Sequence, residues 1–253
     1  MHWSLAEPGH LGSVIARILG AYGAHVLVNS RDEERAAKLV HELRGQNMKA
    51  ETAVFDVSSS SAVENYFVHH SLEKLHVLVN CAYAGGAGTV QTAAPEEYMR
   101  SFQVSVVATQ IVFANALPAL RRAVSGDGDA SVINISSMYG LVSPKLANYA
   151  SPMTSAPPFH GAAKAALLQW TRYAACEFAP EGIRVNSISP GAFPSAASRT
   201  RDPHLMEKLK ESIPVGRLGE ADEIRSAIMF LASPASRFVT GSNVVVDGGW
   251  TSW

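Results

Sequence analysis

A histidine and a lysine stand four residues apart in a segment of helical period, at His160 and Lys164. Residues at this spacing share one face of a helix, so both side chains are expected to point into the same cleft. Ser137, at the end of a predicted strand, is expected to face them. Imidazole is mostly neutral at neutral pH, and a nearby ammonium group lowers its pKa further. The pair therefore favours a histidine that removes a proton over one that supplies it.

The elements that would position these side chains alternate along the chain. Short runs rich in β-branched residues are separated by longer segments of helical period. A helix opens near Gly12, and the few residues before it leave room only for an unusually short first strand. The remaining predicted strands are 24–29, 49–55, 75–80, 130–135, 183–188 and 243–246. This order predicts an α/β fold with a doubly wound parallel sheet of the Rossmann type, in a single domain over residues 1–253.

Composition limits the classes of partner. The chain has 253 residues, 47% hydrophobic and 17% charged, which suits one domain with a large core. Its 21 Lys+Arg balance 22 Asp+Glu, so neither nucleic acid nor an anionic membrane is an expected partner; a small molecule or another subunit is. Two distant cysteines, Cys81 and Cys176, suit a reducing compartment. The first residues carry no signal-peptide pattern, so we expect a cytoplasmic protein.

Several segments resemble, in their order and spacing, the motifs of the short-chain dehydrogenase/reductase family. Each motif alone is weak, but the ordered set spans nearly the whole chain and is specific. The segments are Gly9-His-Leu-Gly12, Ser30-Arg31, Phe55-Asp-Val57, Leu78-Val-Asn-Cys-Ala82, Val132-Ile-Asn-Ile-Ser-Ser137, Gly161-Ala-Ala-Lys164, Arg184-Val-Asn-Ser-Ile-Ser-Pro-Gly191 and Val246-Asp-Gly-Gly249.

The resemblance implies a fold, a cofactor and an assembly. A nicotinamide dinucleotide would bind at the carboxyl ends of the strands, with hydride transfer assisted by an Asn, a Ser, a Tyr and a Lys. Subunits would form a homodimer or homotetramer by packing their fourth and fifth helices across a twofold axis. Leu168, Trp170 and Tyr173 on the fifth helix are candidates for that contact.

The phosphate loop departs from the family pattern T-G-x-x-x-G-x-G. Gly12 matches the last glycine, Ala6 and His10 stand at the other two, and Gly9 is one place out of register. Glycine there permits the turn and the approach of a pyrophosphate to the helix N-terminus. Gly9, His10 and Gly12 are the candidate pyrophosphate residues. Loss of binding and phosphate binding by a protonated His10 are both open.

The adenosine end lacks the carboxylate that would hold a ribose 2′-hydroxyl, because Asn29-Ser30-Arg31 stands at the end of the second strand. If a dinucleotide binds, Arg31 favours NADP, although a solvated surface charge is the alternative reading of that arginine. Asp56 and Val57 match the segment that contacts the adenine in the family. An ordinary helix cap is the alternative for Asp56.

At the nicotinamide end, Asn80 and Ala82 match the family's N-N-A-G segment, but Tyr83 replaces its glycine. A large side chain there would crowd the cofactor unless it turns to solvent. Pro190 and Gly191 match the family segment that follows the sixth strand. These departures predict cofactor binding that is absent or weak, with NADP preferred.

The catalytic set is half retained. Ser137 matches the serine that hydrogen-bonds a substrate oxygen, and Lys164 matches the lysine. His160 stands at the tyrosine position, and Ser105 stands at or near the asparagine position. A structural histidine is the alternative reading of His160.

A proline-rich segment from Ser143 to Pro158 is predicted to be a loop over the site. Tyr139 and Tyr149 on this connection could supply a replacement phenol, or serve only to pack the loop. Residues 192–213 match the family's mobile substrate lid, and their composition does not identify a substrate.

Three functions follow from these residues. The first is non-redox proton transfer, such as elimination, isomerisation or cyclisation, by His160 with Ser137 and Lys164. The second is an NADP-dependent carbonyl reductase or alcohol dehydrogenase with an atypical loop. The third is a non-catalytic subunit that pairs with an active relative. No metal site is predicted.

Overall fold

Parallel strands form one central sheet in the computed structural model, which describes residues 3–6, 10–70, 72–83 and 85–253. The described part holds seven strands in the order β3-β2-β1-β4-β5-β6-β7. Their bounds are β1 Trp3–Ala6, β2 His25–Ser30, β3 Ala50–Val54, β4 Val77–Asn80, β5 Ala130–Ile135, β6 Ile183–Pro190 and β7 Asn243–Val246. The strand order reverses at β1, so the predicted doubly wound α/β fold is confirmed.

Helices cover both faces of this sheet. They are α1 His10–Ala21, α2 Glu33–Gly45, α3 Ser60–His69, α4 Pro95–Asp127, α5 Pro158–Phe178, α6 Ala196–Arg201, α7 Pro203–Ser212 and α8 Arg225–Ala232. Within α4, the stretch Gln103–Val107 is π-helical. The structure places α1, α2 and α8 against one face of the sheet and α3, α4 and α5 against the other, which gives two apolar layers.

The central strands are buried on both sides, and their sequences explain why. Every residue of β5 and β6 is buried. Helices cover both faces of a parallel sheet, so its strands consist almost entirely of β-branched and apolar residues. The first strand has four residues, as short as the sequence predicted. The sixth strand runs two residues beyond its predicted end, to Pro190.

The helix α4 is long and apolar enough to span a membrane, with a mean hydropathy of 1.4 over an 18-residue window. Nevertheless, 44% of that window is buried. Val112, Phe113 and Leu120 on this helix pack against the sheet in the second apolar layer. These contacts are those of a core helix, and they account for its apolar composition.

One side chain expected at a subunit interface belongs to the core instead. Leu168 is 4% exposed and packs inside the chain. Trp170 packs partly against the second apolar layer, and its indole N–H donates to Gln110 on α4 at 3.0 Å. Tyr173 is 72% exposed and is the one of the three that faces outward. The prediction for Leu168 was wrong because the side chain is buried within its own chain, so little of its surface is left for a partner subunit.

Candidate active site

Two cavities lie at the carboxyl edge of the sheet. The smaller one, about 360 Å³, follows β2, β3 and β4 and is lined by Arg31, Asp56, Val57 and Ala82. The larger one, about 730 Å³, lies at the ends of β5 and β6. Tyr83 lines both of them. The arrangement matches the crevice in which doubly wound sheets bind dinucleotides, with the larger cavity on the substrate side.

Four predicted catalytic side chains line the larger cavity, namely Ser137, Tyr139, Tyr149 and His160. Lys164 lies one turn after His160 on α5, but it is 3% exposed and does not line this cavity. The structure thus brings Ser137 and His160 to one cavity and places Lys164 behind it, not in the cleft as the helical spacing predicted.

Lys164 is tied to the ends of two strands. Its Nζ donates to the Ile135 carbonyl oxygen at 2.8 Å and to the Ala82 carbonyl oxygen at 3.4 Å. The Ser136 hydroxyl donates to the carbonyl oxygen of Lys164 at 3.0 Å. A buried ammonium group needs such acceptors, because leaving the charge unsatisfied is costly. These contacts fix a positive charge behind the cavity.

Ser137 is held by the turn that it begins. Its Oγ accepts a hydrogen bond from the Tyr139 backbone N–H at 3.1 Å, in a 3₁₀ turn over Met138–Gly140. The helix α5 approaches this turn closely, because a Cβ at Gly161 would lie 2.7 Å from the Tyr139 carbonyl oxygen. The serine hydroxyl keeps its own proton for donation to an oxygen in the cavity.

His160 is neutral over the physiological pH range. Burial, and after it the charge of Lys164, lowers the pKa of the imidazole to about 4. Its Nδ1 is buried and has no hydrogen-bond partner among the described residues. The imidazole can therefore accept a proton or donate a hydrogen bond, but it is not charged near pH 7.

One side of the Tyr83 ring lies against His160, and the residue is 55% exposed. The two ring centroids are 5.0 Å apart and the planes meet at 89°. Burial, and after it the charge of Tyr149, raises the pKa of the Tyr83 phenol. The sequence singled out both residues separately but gave no sign of their contact, because they lie 77 positions apart on different elements.

The two loop tyrosines bind each other. The Tyr139 and Tyr149 phenol oxygens are 3.0 Å apart. Burial is the main cause that raises the pKa of Tyr139. The connection from Ser143 to Pro158 contains two short 3₁₀ turns, and Asn148 within it donates to the Ser212 hydroxyl at 3.0 Å. This loop lies over the cavity, as predicted, and is joined to the lid.

The lid supplies an apolar wall of the larger cavity. Leu205, Met206 and Leu209 of α7 line the larger cavity opposite Tyr149. Arg201, at the end of α6, lines it as well. The repeat of Leu205 and Leu209 four residues apart was the available signal for this wall.

Ser105 occupies a different setting. It is 3% exposed within the π-helical stretch of α4, and its carbonyl oxygen accepts from the Thr109 hydroxyl at 2.9 Å. Ser105 lines neither of the two cavities described above. A catalytic role for it stays a prediction from the alignment.

At the adenosine end, polar side chains at the strand ends form hydrogen bonds with nearby groups of the chain. The Asn29 amide donates to the Ala53 and Phe55 carbonyl oxygens at 2.8 and 3.1 Å. Asp56 accepts from the Ser58 N–H and hydroxyl at 2.8 and 2.6 Å, and this hydroxyl bond is the chief cause that lowers the pKa of Asp56.

Three arginine side chains line the smaller cavity, together with Asp56. Arg31 lies at the end of β2 and is joined in the lining by Arg35 and Arg100, which the sequence analysis did not single out. Arg35 follows Arg31 by four residues, and this spacing was the available signal. The lining fits a ligand that carries negative charge at its adenosine end.

The remaining predicted cofactor residues have distinct settings. The Asn80 amide donates to the Asn134 side chain at 2.8 Å inside the sheet, which leaves its acceptor side for a ligand. Pro190 is buried at the end of β6, and Gly191 lines the larger cavity. A Cβ at Gly191 would lie 2.6 Å from the Asp247 Cα, so only glycine fits there.

The phosphate loop is described in part. His10 is exposed as the first residue of α1, and Gly12 is buried in the first turn. Gly9 lies outside the described residues, and its role stays a prediction. The helix α1 is the next described element after β1, and dinucleotide folds hold a pyrophosphate at the N-terminus of this helix.

Comparison with known proteins gives concordant relatives. The family described as Enoyl-(Acyl carrier protein) reductase matches residues 6–251. A rhamnolipids biosynthesis 3-oxoacyl-acyl-carrier-protein reductase of Pseudomonas aeruginosa is 33% identical over 249 residues, with 95% of this chain and 91% of that protein covered. The human dehydrogenase/reductase SDR family member 4 is 30% identical over 254 residues, with 98% of this chain and 86% of that protein covered. The solved Pseudomonas aeruginosa RhlG/NADP active-site complex superposes with a TM-score of 0.88 at 29% identity and covers 99% of this chain and 96% of its own.

Proposed function

Because the chain belongs to the short-chain dehydrogenase/reductase family, we propose that it is an NADP(H)-dependent oxidoreductase acting on a carbonyl group or alcohol of a small molecule. The non-redox reading ranked first from the sequence has less support, because the relatives named above are reductases and dehydrogenases. The observation that carries the proposal is the smaller cavity, which Arg31, Arg35 and Arg100 line and in which β2 ends without a carboxylate.

The residues present fit the adenosine end of NADP. Arginine side chains recognise phosphate groups through paired N–H donors, and three of them line a cavity of about 360 Å³. The larger cavity, which Gly191 lines, lies on the other side. A bound nicotinamide would supply or accept the hydride.

The chain's own residues orient the substrate. Ser137, held by the Tyr139 backbone N–H, donates its hydroxyl proton as a hydrogen bond to the carbonyl oxygen. The fixed charge of Lys164 stabilises negative charge that develops on that oxygen or on a neighbouring phenol. The apolar wall of Leu205, Met206 and Leu209 excludes water from the reacting group.

The experiment is a titration with NADPH and NADH, followed by tryptophan fluorescence, together with NADPH oxidation over a panel of aldehydes and ketones. We expect NADPH to bind with micromolar affinity, since Ala6 and His10 replace two phosphate-loop glycines, and to bind at least about tenfold more tightly than NADH. Absence of NADPH binding at millimolar concentration would remove the proposal.

Proton-transfer catalysis by His160 is the second candidate, and one observation favours it. The imidazole is neutral, with a pKa of about 4, and its buried Nδ1 has no hydrogen-bond partner among the described residues. Such a nitrogen can accept a proton from a substrate carbon or hydroxyl. Turnover of a substrate with no NADP(H) bound, abolished in His160→Gln, would favour this reaction over hydride transfer.

A reducing, cytoplasmic compartment accompanies either function. Cys176 is an exposed free cysteine. Exposed free thiols persist where glutathione and thioredoxin keep them reduced. Fractionation of the native cell should place the protein with cytoplasmic markers; recovery in an oxidising compartment would contradict this.

A further inference from the structure

Two departures from the family pattern touch each other. Tyr83 stands where the family has glycine, and His160 stands where it has tyrosine. Their rings are in edge-to-face contact, with centroids 5.0 Å apart. Relative to the family pattern, the phenol is absent at position 160 and present at position 83, and these two side chains are in contact.

We propose that Tyr83 replaces the missing phenol and is the proton donor of carbonyl reduction; this rests on the proposed function. Tyr83 lines both cavities, the smaller one on the adenosine side and the larger one on the substrate side. These are called the adenosine-side and substrate-side cavities below. Tyr83 therefore lies at the junction of the two, where a hydride acceptor must meet the nicotinamide end of the cofactor.

Two glycines after Tyr83 leave room for aromatic rings. A Cβ at Gly85 would lie 3.2 Å from the Tyr83 Cε1 atom. A Cβ at Gly86 would lie 2.7 Å from the Phe159 Cζ atom, so Gly86 approaches the first turn of α5 closely. Phe159 precedes His160, whose ring contacts Tyr83.

The protonation states suit a donor. Burial, followed by the charge of Tyr149, raises the pKa of Tyr83, so its phenol is protonated at neutral pH. The groups that face it are His160, whose pKa is lowered to about 4, and Tyr149. Lys164 donates to the carbonyl oxygen of Ala82, the residue before Tyr83, at 3.4 Å.

The other two phenols are less suitable. Tyr139 and Tyr149 hydrogen-bond to each other across 3.0 Å. Neither of them lines the adenosine-side cavity, whereas Tyr83 does.

In the proposed reduction, a hydride and a proton are added to the carbonyl group. A reduced nicotinamide cofactor is the reductant, and it supplies a hydride to the carbonyl carbon. As the new C–H bond forms, the C=O π bond breaks and its electron pair moves to oxygen. That oxygen takes the proton of Tyr83, and the resulting phenolate regains a proton from water.

The test compares Tyr83→Phe with wild type in two assays, NADPH binding by fluorescence titration and NADPH-dependent reduction of the best carbonyl substrate. We expect kcat to fall by about 10²-fold or more, while the Kd for NADPH changes by less than about twofold. Tyr22→Phe is the matched control, because Tyr22 is exposed at the end of α1, away from the carboxyl edge. This control should leave both quantities unchanged.

A second experiment restores the family residues at both positions. Tyr83→Gly and His160→Tyr each restore one family residue, and the double variant restores both. We expect the double variant to exceed Tyr83→Gly in kcat by about tenfold or more, because it returns a phenol to the site.

The outcomes separate the two proposals. A Tyr83→Phe variant that keeps more than a third of wild-type kcat overturns the donor role and leaves the reductase function standing. Loss of NADPH affinity in step with kcat, or a double variant no faster than Tyr83→Gly, also overturns it. A wild-type chain that neither binds nor oxidises NADPH removes the proposed function, and the role of Tyr83 with it.

Discussion

The phenol oxygens of Tyr139 and Tyr149 lie 3.0 Å apart and join the turn after β5 to the loop that lies over the site. Tyr139 lies two residues after Ser137, and its backbone N–H donates a hydrogen bond to the serine hydroxyl. Tyr149 follows Asn148, whose amide binds Ser212 at the end of α7. One chain of contacts therefore runs from the substrate-orienting serine to the lid.

Removing the Tyr149 hydroxyl should loosen this chain. Tyr149→Phe leaves the buried Tyr139 hydroxyl without its phenol partner, so we expect a loss of about 1–2 kcal/mol in the free energy of unfolding. Urea unfolding of Tyr139→Phe, Tyr149→Phe and the double variant measures the coupling, which should be about 0.5–1.5 kcal/mol. Purely additive effects of the two substitutions would show that the hydrogen bond contributes nothing.

Gly161→Ala should disturb the contact between α5 and the serine turn. The added Cβ would lie 2.7 Å from the Tyr139 carbonyl oxygen, and a backbone atom yields only by moving the turn. We expect a loss of about 1–3 kcal/mol in the free energy of unfolding and a lower kcat, because Ser137 shifts with Tyr139.

Gly45→Ala is the matched control for that substitution. Gly45 ends α2, and a Cβ there meets no atom within 4 Å. Alanine favours the helical state, so this variant should be neutral or more stable by up to about 1 kcal/mol. Equal stability of the two alanine variants in urea unfolding would contradict the close approach at Gly161.

The sequence predicted the fold well because a parallel sheet buried on both faces leaves apolar runs that periodicity detects. A strand end and a helix position also determine that Ser137 and His160 line one cavity, whereas Lys164 is buried behind it. Pairwise contacts between loops carry no such period. Tyr83 was therefore expected either to crowd a cofactor or to turn to solvent, and its packing on His160 was missed.

The same limit explains the error at Leu168. An apolar residue on a helix can face the sheet or a partner subunit, and periodicity cannot distinguish the two when both faces of α5 are apolar. Arg100 shows the converse case, because only the folding of α4 against the adenosine side brings this arginine near Arg31.

His160 should make the protein less stable as the pH falls. Burial lowers the pKa of His160 to about 4 in the folded chain, whereas it is near 6.5 in the unfolded chain. Between pH 6.5 and 4 the unfolded chain binds a proton that the folded chain does not, so stability falls across this window and the effect is complete below it. The 2.5-unit difference corresponds to about 3 kcal/mol.

The comparison of wild type with His160→Gln isolates this contribution. Between pH 7.5 and pH 4.5, wild type should lose about 2 kcal/mol more of its free energy of unfolding than the variant. In wild type, NMR titration of the imidazole should give a pKa well below 6.5, and in Lys164→Met it should rise only part of the way, because burial is the larger cause. Full return to 6.5 in Lys164→Met would assign the shift to the charge alone.

Assembly through α4 and α5 should depend on Tyr173. This side chain is 72% exposed on α5, so a partner helix is what would cover it. We expect a dimer or tetramer in analytical ultracentrifugation at micromolar concentration, and a shift to smaller species in Tyr173→Arg. Val68→Arg on α3, where the side chain is 69% exposed, is the control and should leave the sedimentation unchanged. A wild-type monomer would rule out the assembly.

Arg31 should determine which dinucleotide binds. It follows Ser30, the last residue of β2, so the strand ends without the carboxylate that would bind a ribose hydroxyl. A 2′-phosphate would instead meet the guanidinium group. Arg31→Ala should weaken NADPH binding by about tenfold or more and change NADH binding by less than about threefold, because a charge-assisted hydrogen bond contributes about 1.5–3 kcal/mol. Arg172→Ala, an exposed arginine on α5, is the control in the same fluorescence titration and should change neither affinity. An Arg31→Ala variant that loses NADPH and NADH affinity equally would show that Arg31 holds a feature common to both cofactors and not the 2′-phosphate.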